Sequence, residues 1–147
     1  MAELNVNTLE KTVHETNKWL KEIDEKMHFD NNREKAYKSL RSFLHAMRDR
    51  LMPEEAVNLG SQLPTMVRGI YFEGWNMSKT PVKIRHKEDF LQRINENLGD
   101  NASIINSEMV ATNVFDTLKN NIDKGQIEKI KDLIPNDINE LWSEKKR

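Results

Sequence analysis

Apolar side chains recur every three or four residues along most of the chain, a spacing that places them on one face of an α-helix. One such set precedes a polar break near residue 30 and another follows it: Leu9, Val13, Leu20, Ile23 and Met27, then Tyr37, Leu40, Phe43, Leu44, Met47 and Leu51. No segment alternates apolar and polar residues as a half-buried strand does. The pattern therefore predicts an all-α fold, a helical bundle.

Turn and cap residues indicate where the helices begin and end. At the polar break, Asn31 and Glu34 have the spacing of a capping box, so the second helix is expected to start there. Pro53 suits the first turn of a third helix. Gly74 is expected to end the next helix in a left-handed conformation. Residues 76–83, which include serine, threonine and proline, are then predicted to form a linker.

Beyond this linker the apolar pattern repeats at a distance of 71 residues. Residues 13–71 align with residues 84–142 without a gap, and Pro64 aligns with Pro135. Sixteen of the 59 aligned positions are apolar in both copies, where the composition of the two windows gives about nine by chance. Part of that excess comes from the periodicity that any two amphipathic helices share.

The repeat predicts how the domain is organised. We expect one domain, 1–147, made of two sequence-related helical units of about 70 residues. Unit one spans 9–75 and unit two spans 84–143. A single unit of this size cannot cover both faces of its helices, so the two units are expected to pack together.

Composition and charge narrow the function classes. The chain has 147 residues, of which 37% are apolar and 32% charged, with a net charge of −1. Such a balance allows a folded core but provides no overall basic field, so nucleic acid is not an expected partner. The absence of cysteine excludes disulfides and thiolate metal sites. Without a signal peptide pattern or a long apolar run, the protein is expected to be cytoplasmic and not membrane-bound.

A distinctive run of residues links the sequence to a known family. It consists of Leu44-His45-Ala46-Met47-Arg48-Asp49-Arg50-Leu51, then Gln62-Leu63-Pro64, then Arg68-Gly69-Ile70-Tyr71-Phe72-Glu73-Gly74-Trp75. This closely resembles the signature of domain-of-unknown-function family 2267, a group of small bacterial and archaeal proteins, with Met47 in place of a leucine. The resemblance covers roughly residues 40–75. It implies an all-helical fold and a prokaryotic source, and it implies no activity.

The first candidate site is a basic stripe along one face of the second helix, at steps of three and four residues: Lys38, Arg41, His45 and Arg48. Arg68 could approach this face from a later short helix. Converging guanidinium groups beside an imidazole could bind a carboxylate, a phosphate or a nucleic-acid backbone. The alternative is a solvated helix face with local salt bridges. The matching positions in unit two do not form such a stripe.

The second candidate site is the aromatic run that contains Tyr71, Phe72 and Trp75. Three aromatic side chains within five residues cannot all point inward from one short helix, so an exposed one could anchor a partner protein. Phe72 and Trp75 are the candidate partner-binding residues. The alternative is a hydrophobic lid, with Tyr71 in the core and Trp75 closing the helix end.

Motifs for catalysis are missing from the sequence. There is no Gly-x-Ser-x-Gly elbow, phosphate-binding loop or dinucleotide fingerprint, and no two histidines have the i, i+4 spacing of a helical metal site. We therefore expect no catalytic residue, cofactor or metal. The sequence favours a non-enzymatic interaction module with a protein partner or a homo-oligomer. The alternative function is binding of a small anionic ligand or nucleic acid through Arg41, His45, Arg48 and Arg68.

Overall fold

The computed structural model describes residues 6–142. It contains eight α-helices in this range: α1 Asn7–Met27, α2 Arg33–Arg50, α3 Pro53–Gly60, α4 Thr65–Phe72, α5 Lys87–Leu98, α6 Ser107–Asn121, α7 Lys124–Leu133 and α8 Asn136–Asn139. Three short 3-10 helices lie between or after them: Met77–Lys79, Gly99–Ser103 and Glu140–Trp142. These residues include no β-strand, so the all-α prediction is confirmed.

Most of the expected helix ends agree with the structure, and one is wrong by a residue. Pro53 is the first residue of α3, and Gly74 follows α4 with a positive φ of 74°. The cap of α2 is Asn32, whose side chain accepts from the amide of Lys35 at 3.0 Å. Asn31 cannot cap the helix because it is part of the preceding turn, with a φ of 62°.

The predicted linker is tied to the first half of the molecule. Residues 76–83 contain the 3-10 helix Met77–Lys79, and the chain then runs without regular structure to α5. Within this stretch the amide of Val82 donates to the carbonyl oxygen of Asp49 at 2.7 Å. The connection therefore has a fixed path along the carboxyl end of α2.

Helix α2 lies at the centre of the bundle and packs against α1, α4, α5 and α6. Its buried face includes Phe43, which meets two aromatic rings from the second half of the chain. The ring of Phe43 lies edge-on to Phe90 at 5.9 Å and to Trp142 at 6.2 Å. Phe115 stacks on Trp142 at 4.1 Å. Since each buried ring stabilises the fold by roughly 1.5–3 kcal/mol, this shared cluster holds the two halves together.

The buried face of α1 differs from the expected one at its amino-terminal end. Leu9, predicted to face the core, is 42% exposed, whereas Thr12 and Thr16 are buried. Thr12 Oγ1 accepts from the amide of Met66 at 3.1 Å. That amide lies in the first turn of α4, where backbone donors lack intrahelical acceptors. A hydroxyl is therefore favoured over an aliphatic side chain at this position.

The helices of the second half follow those of the first in the same order, with several ends 71 residues apart. These pairs of residues are Met27 and Leu98 at the ends of α1 and α5, Arg50 and Asn121 at the ends of α2 and α6, Pro53 and Lys124 at the starts of α3 and α7, and Thr65 and Asn136 at the starts of α4 and α8. The halves are not identical, because α1 has 21 residues and α5 has 12. Across residues 6–142, none of the helices has the length and apolar character required to cross a bilayer.

Candidate functional site

The carboxyl end of α4 rests against the basic face of α2. His45 Nε2 donates to the carbonyl oxygen of Ile70 at 2.8 Å. Arg48 Nη1 donates to the carbonyl oxygens of Tyr71 at 2.9 Å and Glu73 at 2.7 Å. The last carbonyl groups of a helix lack intrahelical partners and carry the negative end of its dipole. Two side chains of the predicted stripe therefore cap the helix that carries the aromatic run.

Arg48 is also the centre of a buried ion-pair network. Only 4% of this residue is exposed, and its Nε donates to Asp49 Oδ1 at 2.8 Å. The other oxygen of Asp49 accepts from Arg93 Nη2 of α5 at 3.0 Å. Buried charges are stable in proteins when they are paired in this way. The network fixes the guanidinium of Arg48 in place and links α2 to the second half of the chain.

Arg41 completes this arrangement at the surface. Its Nε donates to Glu73 Oε1 at 3.1 Å; Glu73 is exposed and Arg41 is half-buried. Arg41, His45 and Arg48 thus all contact residues 70–73, and we call these three residues the basic clamp. The clamp brings together three of the four predicted anion-binding residues.

Arg68, the fourth predicted residue, serves a different helix end. Its Nε donates to the carbonyl oxygen of Gly60 at 3.1 Å, and its Nη2 donates to that of Leu63 at 2.9 Å. The Gly60 carbonyl is at the carboxyl end of α3, and the Leu63 carbonyl lies in the turn that leads to α4. Lys38, the first member of the stripe, pairs with Glu34 on its own helix at 3.7 Å. The stripe therefore mostly meets carbonyl and carboxylate groups of the protein itself.

Burial controls the protonation of the clamp histidine. The pKa of His45 lies below its ordinary value of 6.5, chiefly because burial disfavours the charged imidazolium. The bond to the Ile70 carbonyl acts in the opposite direction, and the neighbouring Arg48 and Arg41 lower the pKa further. Since a carbonyl oxygen can only accept, the neutral ring carries its proton on Nε2. At neutral pH His45 contributes a hydrogen bond and no positive charge.

The aromatic run divides between the core and the surface. Tyr71 is fully buried, and its hydroxyl donates to the carbonyl oxygen of Ala56 at 2.7 Å. Phe72 lies edge-on to Tyr71 at 4.9 Å and tilted against Trp75 at 5.4 Å. The rings of Phe72 and Trp75 are half-buried. These two side chains form a continuous pair on the surface, which we call the aromatic shelf.

A glycine in α3 makes room for this shelf. A Cβ atom on Gly60 would lie 2.5 Å from Cζ of Phe72, closer than real Cβ atoms approach, and 3.1 Å from Cε2 of Tyr71, which is a tight contact. The Phe72 ring therefore lies directly on the backbone of α3. Sequence reasoning missed Gly60 because nothing in the local pattern connects a glycine to a ring that comes a full helix later.

Exposed apolar residues lie close in sequence to the elements that form the shelf, and the acidic residue between the two shelf residues is paired. Val57 is 48% exposed and lies one turn before Gly60 on the same side of α3. Met77, two residues beyond Trp75, is 55% exposed. The charge of Glu73, which stands between the two shelf residues in sequence, is balanced by Arg41. The arrangement is suited to contact with apolar groups.

The acidic residues of the interior are all engaged with arginine. Asp24 pairs with Arg33, and Asp49 pairs with Arg48 and Arg93. In the part of the chain that the structure describes, no three histidine, aspartate or glutamate side chains come close enough together to hold a metal ion.

The family comparison agrees with the resemblance found in the sequence. The model of the family described as "Uncharacterized conserved protein (DUF2267)" matches residues 16–141. This match extends over both helical halves and includes the basic clamp and the aromatic shelf. No curated protein matches the sequence.

Proposed function

The chain belongs to the DUF2267 family, and we propose that it is a non-enzymatic interaction module that binds an apolar segment of another protein on its aromatic shelf. The observation that carries this proposal is the half-exposed pair Phe72 and Trp75. Aromatic side chains dominate the binding energy of many interfaces because they offer a large contact area with few rotatable bonds.

Preorganisation of the shelf supports this proposal. Gly60 seats the Phe72 ring, and Arg48 holds the backbone carbonyls on either side of it. A surface that is already ordered loses little conformational entropy when a partner binds. The basic clamp is, in this proposal, the support of the binding surface.

The chemistry around the shelf argues for an apolar occupant. Val57, one turn before Gly60 on α3, and Met77, two residues after Trp75, are exposed apolar side chains, and the charge of Glu73 is paired with Arg41. Interfaces of this kind have an apolar centre and a polar rim. Anion binding by the basic helix face has less support, because His45, Arg48 and Arg68 already donate to backbone carbonyls.

We also infer that the two halves are related units of which only the first is adapted for binding. The shared helix order and the offset of 71 residues support the relation. Tyr71 and its counterpart Trp142 are both buried. Ser143, the counterpart of Phe72, lies outside the described residues and offers no ring for a second shelf. Without cysteine the chain suits a reducing prokaryotic cytoplasm, its proposed location.

A peptide library displayed on phage tests the proposal, with selection on the purified protein. Synthetic versions of the enriched peptides are then titrated while tryptophan fluorescence is followed. Trp19 and Trp142 are buried, so a change in emission would come chiefly from Trp75. We expect enriched sequences to be apolar, and Phe72→Ala to weaken their binding about tenfold or more.

The matched control is Ile104→Ala, which removes an exposed apolar side chain from the second half of the chain. This variant should bind the peptides as tightly as the wild type. Failure to enrich any peptide, or equal losses in the two variants, would overturn the proposal. Sedimentation velocity tests whether the shelf binds a second copy of the chain. A wild-type dimer that becomes a monomer in Phe72→Ala would identify the occupant as that second copy.

A further inference from the structure

A cavity of about 300 Å³ lies where the first half, the linker and the second half meet. It is lined by charged and polar side chains of three separate segments: Arg48 and Asp49 of α2, Asn76 and Lys79 after α4, and Arg93 of α5. Its volume is at the small end of the range for ligand pockets. The cavity is distinct from the aromatic shelf, whose rings are not among its lining residues.

The cavity has an excess of positive charge. Its lining combines three cationic side chains with the single carboxylate of Asp49. Both oxygens of that carboxylate are occupied, one by Arg48 Nε and the other by Arg93 Nη2. Asp49 therefore positions the two guanidinium groups. Arg93 Nη1 also lies 3.7 Å from Glu96 Oε1 on its own helix, outside the lining, so one positive charge remains without a paired carboxylate among the described residues.

Several donors in the lining have no acceptor among the described residues. Arg93 Nε is buried and has no hydrogen-bond partner within residues 6–142. Arg48 uses Nε and Nη1 in its bonds, which leaves Nη2 for other acceptors. Lys79 is exposed and forms no ion pair within residues 6–142. A buried guanidinium N–H is normally satisfied by an acceptor, so an anion or a water molecule is expected to complete this bond.

The walls of the cavity are held in fixed positions. The amide of Val82 donates to the Asp49 carbonyl, which fastens the linker to α2. Asn76 Oδ1 accepts from the amide of Ser78 at 3.1 Å and from its hydroxyl at 2.7 Å, and this bracing supports the 3-10 helix that carries Lys79. The cationic groups are thus arranged before any ligand arrives.

We propose that this cavity binds a small oxyanion, a carboxylate or phosphate group, between Arg48, Lys79 and Arg93. Guanidinium groups have planar donor pairs that match the oxygens of these anions, and an ammonium group adds a mobile charge at the entrance. This proposal does not depend on the aromatic shelf. The cavity also differs from the basic face considered in the sequence, since it uses Lys79 and Arg93 in place of Arg41, His45 and Arg68.

Nuclear magnetic resonance of the arginine side chains tests the site directly. The Nε–Hε signal of Arg93 is followed while inorganic phosphate or sodium acetate is added, with sodium chloride adjusted to keep the ionic strength constant. We expect a saturable shift of this signal with at least one of the two anions. Tighter binding of phosphate would indicate a phosphorylated ligand, and tighter binding of acetate would indicate a carboxylate.

Two lysine variants form a matched pair for the same titration. Lys79→Gln removes an exposed cation from the cavity entrance and is expected to raise the dissociation constant about fivefold without changing the fold. Lys83→Gln removes another exposed lysine, four residues later, that does not line the cavity, and should leave the dissociation constant unchanged. The two variants have the same net charge, so a difference between their dissociation constants must come from the position of the lost lysine.

The absence of a saturable shift up to about 50 mM of either anion would overturn the proposal. Equal effects of the two lysine substitutions would also overturn it, because they would indicate a nonspecific response to charge. Binding of the selected peptides to Lys79→Gln separates this outcome from the shelf proposal. If the peptides still bind while the anions do not, the cavity proposal fails and the interaction proposal stands.

Discussion

Arg48 Nη1 donates to the carbonyl oxygen of Tyr71 at 2.9 Å, across 23 residues of sequence. This contact joins the central helix α2 to the helix end that carries the aromatic shelf. Because the guanidinium is buried and paired with Asp49, it cannot relax towards solvent if the contact is disturbed. The geometry of the shelf therefore depends on a residue that lies beneath it.

Replacing Arg48 should destabilise the protein strongly. Arg48→Met preserves much of the side-chain volume but removes the caps of α4 and one partner of Asp49, and we expect a loss of about 2–4 kcal/mol in the free energy of unfolding. Urea denaturation measures this loss. Arg41→Met, the control on the same helix face, breaks an exposed ion pair and should cost less than about 1 kcal/mol. Similar costs for the two variants would contradict the buried role of Arg48.

Gly60 and Phe72 should be coupled in a double-mutant cycle. Gly60→Ala places a methyl group into the Phe72 ring and should destabilise the wild type by about 1 kcal/mol or more. In a Phe72→Ala background only the Tyr71 contact at 3.1 Å remains, and the greater helix propensity of alanine offsets it, so the same change should destabilise much less. Thermal unfolding of the four proteins provides the coupling energy. An unchanged effect of Gly60→Ala in both backgrounds would show that the ring does not occupy this space.

His45 should make stability depend on pH below neutrality. Its pKa in the folded protein is lowered, so as the pH falls below 6.5 the unfolded chain takes up a proton that the folded chain does not. The stabilising effect of the neutral ring is therefore present above that pH and is lost towards acid. His45→Gln keeps a donor for the Ile70 carbonyl but does not titrate.

Urea denaturation at pH 7, 6 and 5 tests this dependence by comparing the wild type with His45→Gln. The wild type should lose more stability than the variant as the pH falls, since the other three histidines are common to both and cancel. Parallel profiles would mean that His45 titrates equally in the folded and unfolded states.

The hydroxyl of Tyr71 should contribute to stability and not to binding. Tyr71→Phe removes the bond to the Ala56 carbonyl in the core and should cost about 1 kcal/mol of unfolding free energy. Affinity for peptides selected on the shelf should change by less than about twofold, because the ring itself remains. A large loss of affinity with unchanged stability would instead place the hydroxyl in the binding surface.

The fold could be predicted from the sequence because helical spacing and a few cap residues are local signals. Pro53 and Gly74 marked helix ends where the structure has them. The role of Arg48 could not be predicted in the same way. A basic stripe has the same spacing whether it faces water or the carbonyl groups of another helix, and that difference depends on tertiary packing. For the same reason Leu9 was wrongly placed in the core.

The proposed anion cavity could not be predicted from the sequence for a related reason. Arg93 and Lys79 lie far apart in sequence from Arg48, and each looks like an ordinary surface charge on an amphipathic segment. Asp49 is one of 24 acidic residues in the chain. These groups form a site only because the Asp49 carboxylate accepts from two arginines of different halves. Its contact with Arg93 spans 44 residues of sequence.

The aromatic cluster of Phe43, Phe90 and Trp142 determines how the protein should behave when the chain is cleaved between its two halves. A cut in the linker would leave each piece with an uncovered apolar surface whose complement lies on the other piece. The separated pieces should remain poorly ordered alone and recover their structure by complementation when mixed. The two halves would then associate as a heterodimer, and in the intact protein the linker keeps them together covalently.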